Sequence, residues 1–163
     1  FSTALSAFVA QNYAARKISR VMKALKSTLY MTLVFGTLCS LLFIFYGNNV
    51  FAIFVPEKEA YEAGGLALRI DGYSQLFMML EIVIQGVFYG MGRTIPPAII
   101  SISCNYLRIP MAMLFVSFGW GLPGIWWTIC ITSIIKGIII LIWFLTIKKK
   151  TLDKLAKQEI ETY

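Results

Sequence analysis

In 163 residues the chain carries 58% hydrophobic and only 14% charged side chains, with a net charge of +7 and no histidine. Soluble domains run near about 45–50% apolar and ~25% charged, so this composition excludes an ordinary soluble globule. The lack of histidine removes Ser–His–Asp triads, imidazole acid–base catalysis and His-ligated metals.

The first apolar segment covers residues 1–15. It starts on Phe1 without an initiator methionine or a charged leader, so an earlier part of the polypeptide is expected to precede it. A basic connector follows, with Arg16, Lys17, Arg20, Lys23 and Lys26 and no acid. A second span is predicted over residues 27–55, where no charge occurs. A membrane-crossing helix needs roughly 20 apolar residues, and this run exceeds that. Pro56, Glu57, Lys58, Glu59 and Glu62 make an acidic connector.

A third span is predicted over residues 65–90, ended by the turn Gly90-Met91-Gly92-Arg93-Thr94. Pro96 and Pro97 suit the first turn of a fourth, over residues 96–118, because their missing N–H groups have no helical partner there. An uncharged turn at residues 119–124 leads to a fifth span over residues 125–147. Lys148, Lys149 and Lys150 stop it, and a charged tail closes the chain at Tyr163. The expected fold is all-α, a polytopic transmembrane helix bundle.

The charges set an orientation. Lys and Arg gather on the cytoplasmic side of membrane proteins. The first connector and the tail hold five basic residues each, the second holds Lys58, the third Arg93, and the fourth none. The alternation places the first and third connectors and the C-terminus in the cytoplasm. Trp120, Trp126 and Trp127 cluster at the opposite interface, as an aromatic belt does. The positive charge flanks apolar runs, which points to lipid headgroups rather than nucleic acid. Cys39, Cys104 and Cys130 lie in apolar runs without CxxC spacing and are expected to be packing or lipid-facing thiols.

Ionisable groups inside spans cost about 2.5–3.5 kcal/mol each on insertion scales, so each needs a reason. Arg69 and Asp71 lie near the outer start of the third span, where an interfacial pair that snorkels suffices. Glu81 is deeper, and Ser74, Met78, Glu81 and Gln85 share one helical stripe. Ser101, Asn105 and Arg108 form a similar stripe on the fourth span, and Thr128, Thr132 and Lys136 one on the fifth. Three lipid-facing stripes would be too costly, so they converge on a polar interior, either a solvent cavity or a salt-bridged seam. Glu81 has Lys136 or Arg108 as its candidate partner. A carboxylate in such a place can exchange a proton or offer hard oxygen to sodium. Gly86 and Gly90 make a small-xxx-small packing face.

Two stretches carry a family resemblance. Residues 2–16, STALSAFVAQNYAAR, and residues 80–97, LEIVIQGVFYGMGRTIPP, resemble the second helix of a lobe and the fourth helix of the second lobe in multidrug and toxic compound extrusion (MATE) transporters. The order and spacing of the other spans agree, so the resemblance covers essentially the whole chain. It implies two six-helix lobes, of which this chain holds about five spans of the second, with the N-terminal lobe as a partner in the same polypeptide. It further implies a plasma-membrane antiporter, not an enzyme, that exports cationic or amphipathic drug-like molecules in exchange for sodium or protons and holds no cofactor.

Alignment on Gly86 puts Met78 where the family often has a carboxylate; Glu81, one turn on, is the candidate coupling group. Ser74, Met78, Gln85, Ser101, Asn105, Arg108, Thr132 and Lys136 would line the interior around it. Ala14-Ala15 stands where the family usually has Gly-Ala. A related flippase of lipid-linked sugars is the alternative, with Arg108 and Lys136 contacting phosphate.

Overall fold

The computed structural model describes residues 2–55 and 57–148. Within them the chain forms α1 (Ser2–Ala14), α2 (Ile18–Phe54), α3 (Lys58–Gly90), α4 (Ile95–Phe115), a π-helical turn (Val116–Trp120) and α5 (Gly121–Ile147), with no strand among the described residues. Most of the charged tail expected after Ile147 lies outside the described residues, as does Pro56. The architecture is the all-α bundle expected from the sequence. Among the described residues, α2 and the nearly continuous α4–α5 stretch each carry a window apolar enough to cross a membrane, with mean hydropathy 2.0 and 2.3. α3, at 33 residues, is also long enough, but its polar stripe dilutes it.

Helix ends differ most from the sequence-based expectation. α2 starts at Ile18, so Arg20, Lys23 and Lys26 lie inside a helix rather than in a connector. Ile18, Val21 and Leu25 are buried, at the i, i+3 and i+7 positions of an amphipathic face. α3 likewise starts at Lys58, seven residues before Gly65, with Glu59 in its first turn, where the helix dipole favours an acid. Its 33 residues span roughly 50 Å, more than the about 30 Å of a hydrocarbon core. Tyr46 interrupts α2 with φ −119° and ψ 16°.

Two turns use one solution. After α3, Arg93 N–H donates to Phe88 C=O (2.9 Å) and Gly92 N–H to Tyr89 C=O (3.0 Å). Gly92 is left-handed at φ 70°. This is the Schellman closure, in which a left-handed residue satisfies the last carbonyls. After α1 the same two bonds recur, from Lys17 to Asn12 (2.9 Å) and from Arg16 to Tyr13 (3.0 Å), but here the left-handed residue is Arg16, at φ 57°.

α3 is the central element: it packs on α1, α2 and α5, whereas α4 packs chiefly on α5 and scarcely meets α3. Its Gly86–Gly90 face receives α1. A Cβ on Gly90 would stand 2.6 Å from the Ser6 carbonyl oxygen and 2.6 Å from Val9 Cβ. The Ser2 hydroxyl donates to the Ile82 carbonyl (2.9 Å) across the same contact. A core of Leu5, Val9, Val83, Ile84, Val87 and Phe88 continues this interface, with Phe144 of α5 set edge-on to Phe88 at 6.0 Å.

Gly90→Ala is expected to destabilise the fold by about 1–3 kcal/mol, the cost of overpacking a tight contact, because the obstacle is backbone rather than a flexible side chain. Arg16→Gly is expected to act oppositely, relieving about 1 kcal/mol of left-handed strain. Thermal-shift measurements in detergent would check both signs.

Candidate functional site

Glu81 lies midway along the third expected span and is 7% exposed. Lys136 Nζ of α5 sits 2.8 Å from Glu81 Oε1. Gln85, one turn along α3, donates from Nε2 to the same oxygen at 2.6 Å. Of the two cations open to Glu81 in the sequence, the structure selects Lys136. The pair ties α3 to α5. Gln85 Nε2 also stands 3.5 Å from Ser101 Oγ of α4, a long contact that reaches the third helix of the site.

Arg108 goes elsewhere. Its Nε donates to Thr132 Oγ1 (2.8 Å) and its terminal Nη2 to Ser133 Oγ (3.1 Å). The planar guanidinium thus bridges neighbouring hydroxyls of α5 through two of its fixed N–H donors. Thr132 is free to accept, since its own proton goes to the Thr128 carbonyl at 2.8 Å. Thr128 is fully buried and bonded to the Gly124 carbonyl (2.8 Å). Cys104, buried on α4, lies within electrostatic reach of Lys136, Glu81 and Arg108 together.

The α3 stripe holds together at both ends. Ser74 is fully buried. Its hydroxyl lies 2.9 Å from the Asp71 carbonyl, 3.2 Å from Asp71 Oδ1 and 3.8 Å from Met78 Sδ. Cys130 of α5 faces the same hydroxyl. Arg69 and Asp71 do not pair, and among the described residues no ion pair joins them. Two positions apart on a helix, they point about 200° apart; Arg69 is exposed and Asp71 half-buried.

The sequence grouped Asn105 with Ser101 and Arg108; it is exposed, and the polar cluster forms without it. The packed face of α4 is Pro97, Ile100 and Cys104, with Arg108 at its edge. At about 100° per residue, Asn105 rotates out by a full step from Cys104. Ser133 is the member that the sequence did not single out. Ser133 had a signal, being adjacent to Thr132 and within reach of a long guanidinium. Where cavity and seam were both open, the residues meet as a packed, hydrogen-bonded seam of buried charge.

Residues 1–114 match the MatE family profile. The chain belongs to the MatE family. Over 162 residues it is 24% identical to the probable multidrug resistance protein NorM of Thermotoga maritima, which covers 98% of this chain and 35% of that protein. It is 26% identical over 134 residues to Protein DETOXIFICATION 34 of Arabidopsis thaliana, covering 80% of this chain and 25% of that one. The chain therefore spans about a third of the first relative and a quarter of the second. MatE members are membrane transporters rather than enzymes, and the long apolar helices fit that setting.

The buried pair makes a double-mutant prediction. Glu81→Gln leaves the Lys136 charge uncompensated, a loss of about 3–5 kcal/mol for a broken buried pair. Adding Lys136→Gln removes the stranded charge and is expected to restore most of the melting temperature. Losses that simply add across the two substitutions would show that the pair is not coupled.

Proposed function

We propose that this chain forms most of the second lobe of a plasma-membrane antiporter, which exports cationic or amphipathic drug-like molecules in exchange for sodium or protons. The names of the relatives support drug export, and the family is one of ion-coupled antiporters. The rest of the relatives' length supplies the partner lobe, which lies in the same polypeptide. The charge alternation supports a cytoplasmic C-terminus.

The observation that carries the reading is the Glu81–Lys136 pair (2.8 Å). A proton or sodium ion arriving at Glu81 competes with the Lys136 ammonium for the same carboxylate charge. Neutralising Glu81 breaks the α3–α5 tie and leaves a cation buried, a state that lasts only if the two helices re-pack. Gln85 holds Glu81 Oε1 in place for either occupant (2.6 Å). Ser74, Met78, Ser101, Arg108 and Thr132 frame the seam, and Asn105 is exposed outside it.

The lipid-linked sugar flippase gains less support. It asks for two unengaged cations ready for phosphate, and Lys136 is already held by Glu81.

The test is efflux of a cationic dye from cells expressing the full-length protein, with sodium and pH varied. Glu81→Gln is expected to abolish ion-dependent efflux. The compensated variant Glu81→Gln/Lys136→Gln, which removes the stranded charge, is expected to insert normally yet still fail to couple. Unchanged, ion-dependent efflux in the compensated variant would defeat the coupling role.

A further inference from the structure

A cleft of about 370 Å³ lies between α2 and α5, and none of the ionisable groups of the Glu81 seam lines it. Its walls are Leu29 and Leu33 of α2 and Leu141 and Leu145 of α5, over Ile84 of α3. Two cations join the lining, Lys26 from the α2 wall and Lys148 from the α5 wall, and among the described residues no acid lines it. Lys26 stands near the start of α2 and Lys148 just past the end of α5. The two helices run in opposite senses, so these ends meet on one side of the molecule. That side also carries Arg16, Lys17, Arg20 and Lys23.

From Met22 to Leu33 the groove runs along α2 for roughly 16 Å at 1.5 Å per residue. One leaflet of hydrocarbon is about 15 Å deep, half of the core. A groove of that length, apolar along its walls and cationic at one end, matches one lipid of one leaflet. A protein helix laid in it would meet two lysines with no acid from the groove to offset them. A free small anion would find no use for the leucines. Basic pockets between helices on the cytoplasmic side are recognised sites for phosphate headgroups.

We infer that this groove is a binding site for an anionic phospholipid of the cytoplasmic leaflet. An acyl chain lies between α2 and α5, and the headgroup phosphate is held between Lys26 and Lys148. The site is separate from the seam that the proposed transport reading uses, and it ties the outer wall of α2 to the end of α5 through lipid rather than through protein.

The experiment uses the full-length protein in phosphatidylcholine vesicles with trace spin-labelled phosphatidylglycerol, and spin-labelled phosphatidylcholine as the neutral comparison. Wild type is expected to immobilise the anionic lipid in preference to the neutral one. A juxtamembrane lysine is worth about fivefold in affinity for an anionic surface, so Lys26→Gln/Lys148→Gln is expected to lower the preference by roughly 25-fold. Lys26→Arg/Lys148→Arg is expected to keep it, and Lys17→Gln, outside the groove, to leave it nearly unchanged. Equal selectivity in wild type and the double glutamine variant would overturn the site. So would a Leu29→Cys thiol shielded from a membrane-soluble maleimide in lipid-free detergent, because a protein segment would then fill the groove.

Discussion

Two opposite charges at membrane depth can persist only together, and the structure is arranged around that constraint. Glu81 and Lys136 meet at 2.8 Å with side chains 9% and 14% exposed. Such a pair adds little net stability, because desolvation offsets most of the attraction. Its strength lies in the penalty for separating it. Pulling α3 away from α5 here would strand both charges, so the pair holds the two helices side by side. Since α3 also carries α1 and α2, fixing α3 against α5 fixes the bundle.

Close backbone contact makes that arrangement possible. Ser40 donates across α2–α3 to the Gly72 carbonyl at 2.6 Å, and Gly86 and Gly90 let α1 lie against α3 with no Cβ between them. Apolar helices gain little from burial when lipid is the alternative solvent, so contacts of small residues and interhelical hydrogen bonds carry the association. The exposed apolar residues of α2, among them Phe35, Leu38 and Phe45, are what such a solvent accepts.

Helix existence was legible from the sequence because an uncharged apolar run of more than about 20 residues is long enough to cross the hydrocarbon and too apolar to face water. Helix ends were not, since charge marks where hydrocarbon stops and not where a helix stops. Arg20, Lys23 and Lys26 continue α2 beyond the apolar slab, on the solvent side of a face whose buried members are Ile18, Val21 and Leu25. The Gly90–Thr94 turn was legible, because a left-handed cap calls for glycine and Gly92 supplies it. The matching cap at Arg16 was hidden, as nothing in an arginine advertises a positive φ. In the site, Glu81 and Gln85 were legible as i and i+4 on a single helix. Asn105 shares the spacing of Ser101 and Arg108 but not their contacts, because a polar spacing on α4 cannot say which side faces α5. That choice is made by Ile100 and Cys104, apolar residues that the search for polarity passed over.

The division of labour between the two cations follows from their chemistry. Lysine is a point charge on a flexible stem and takes the carboxylate; arginine is a planar fork and takes two adjacent hydroxyls. In consequence α5 holds α3 through Lys136 and α4 through Thr132 and Ser133, while α3 and α4 hardly touch. The Gln85–Ser101 approach at 3.5 Å is the slender exception. A change in the charge of Glu81 is therefore felt first by α5. The hydroxyl that Arg108 grips, on Thr132, sits one helical turn from Lys136 along that helix, so the same displacement would reach α4 through hydroxyl contacts that exchange partners far more cheaply than a buried ion pair. The strong tie and the weak tie lie on one rigid helix, and the weak one is where relative movement costs least.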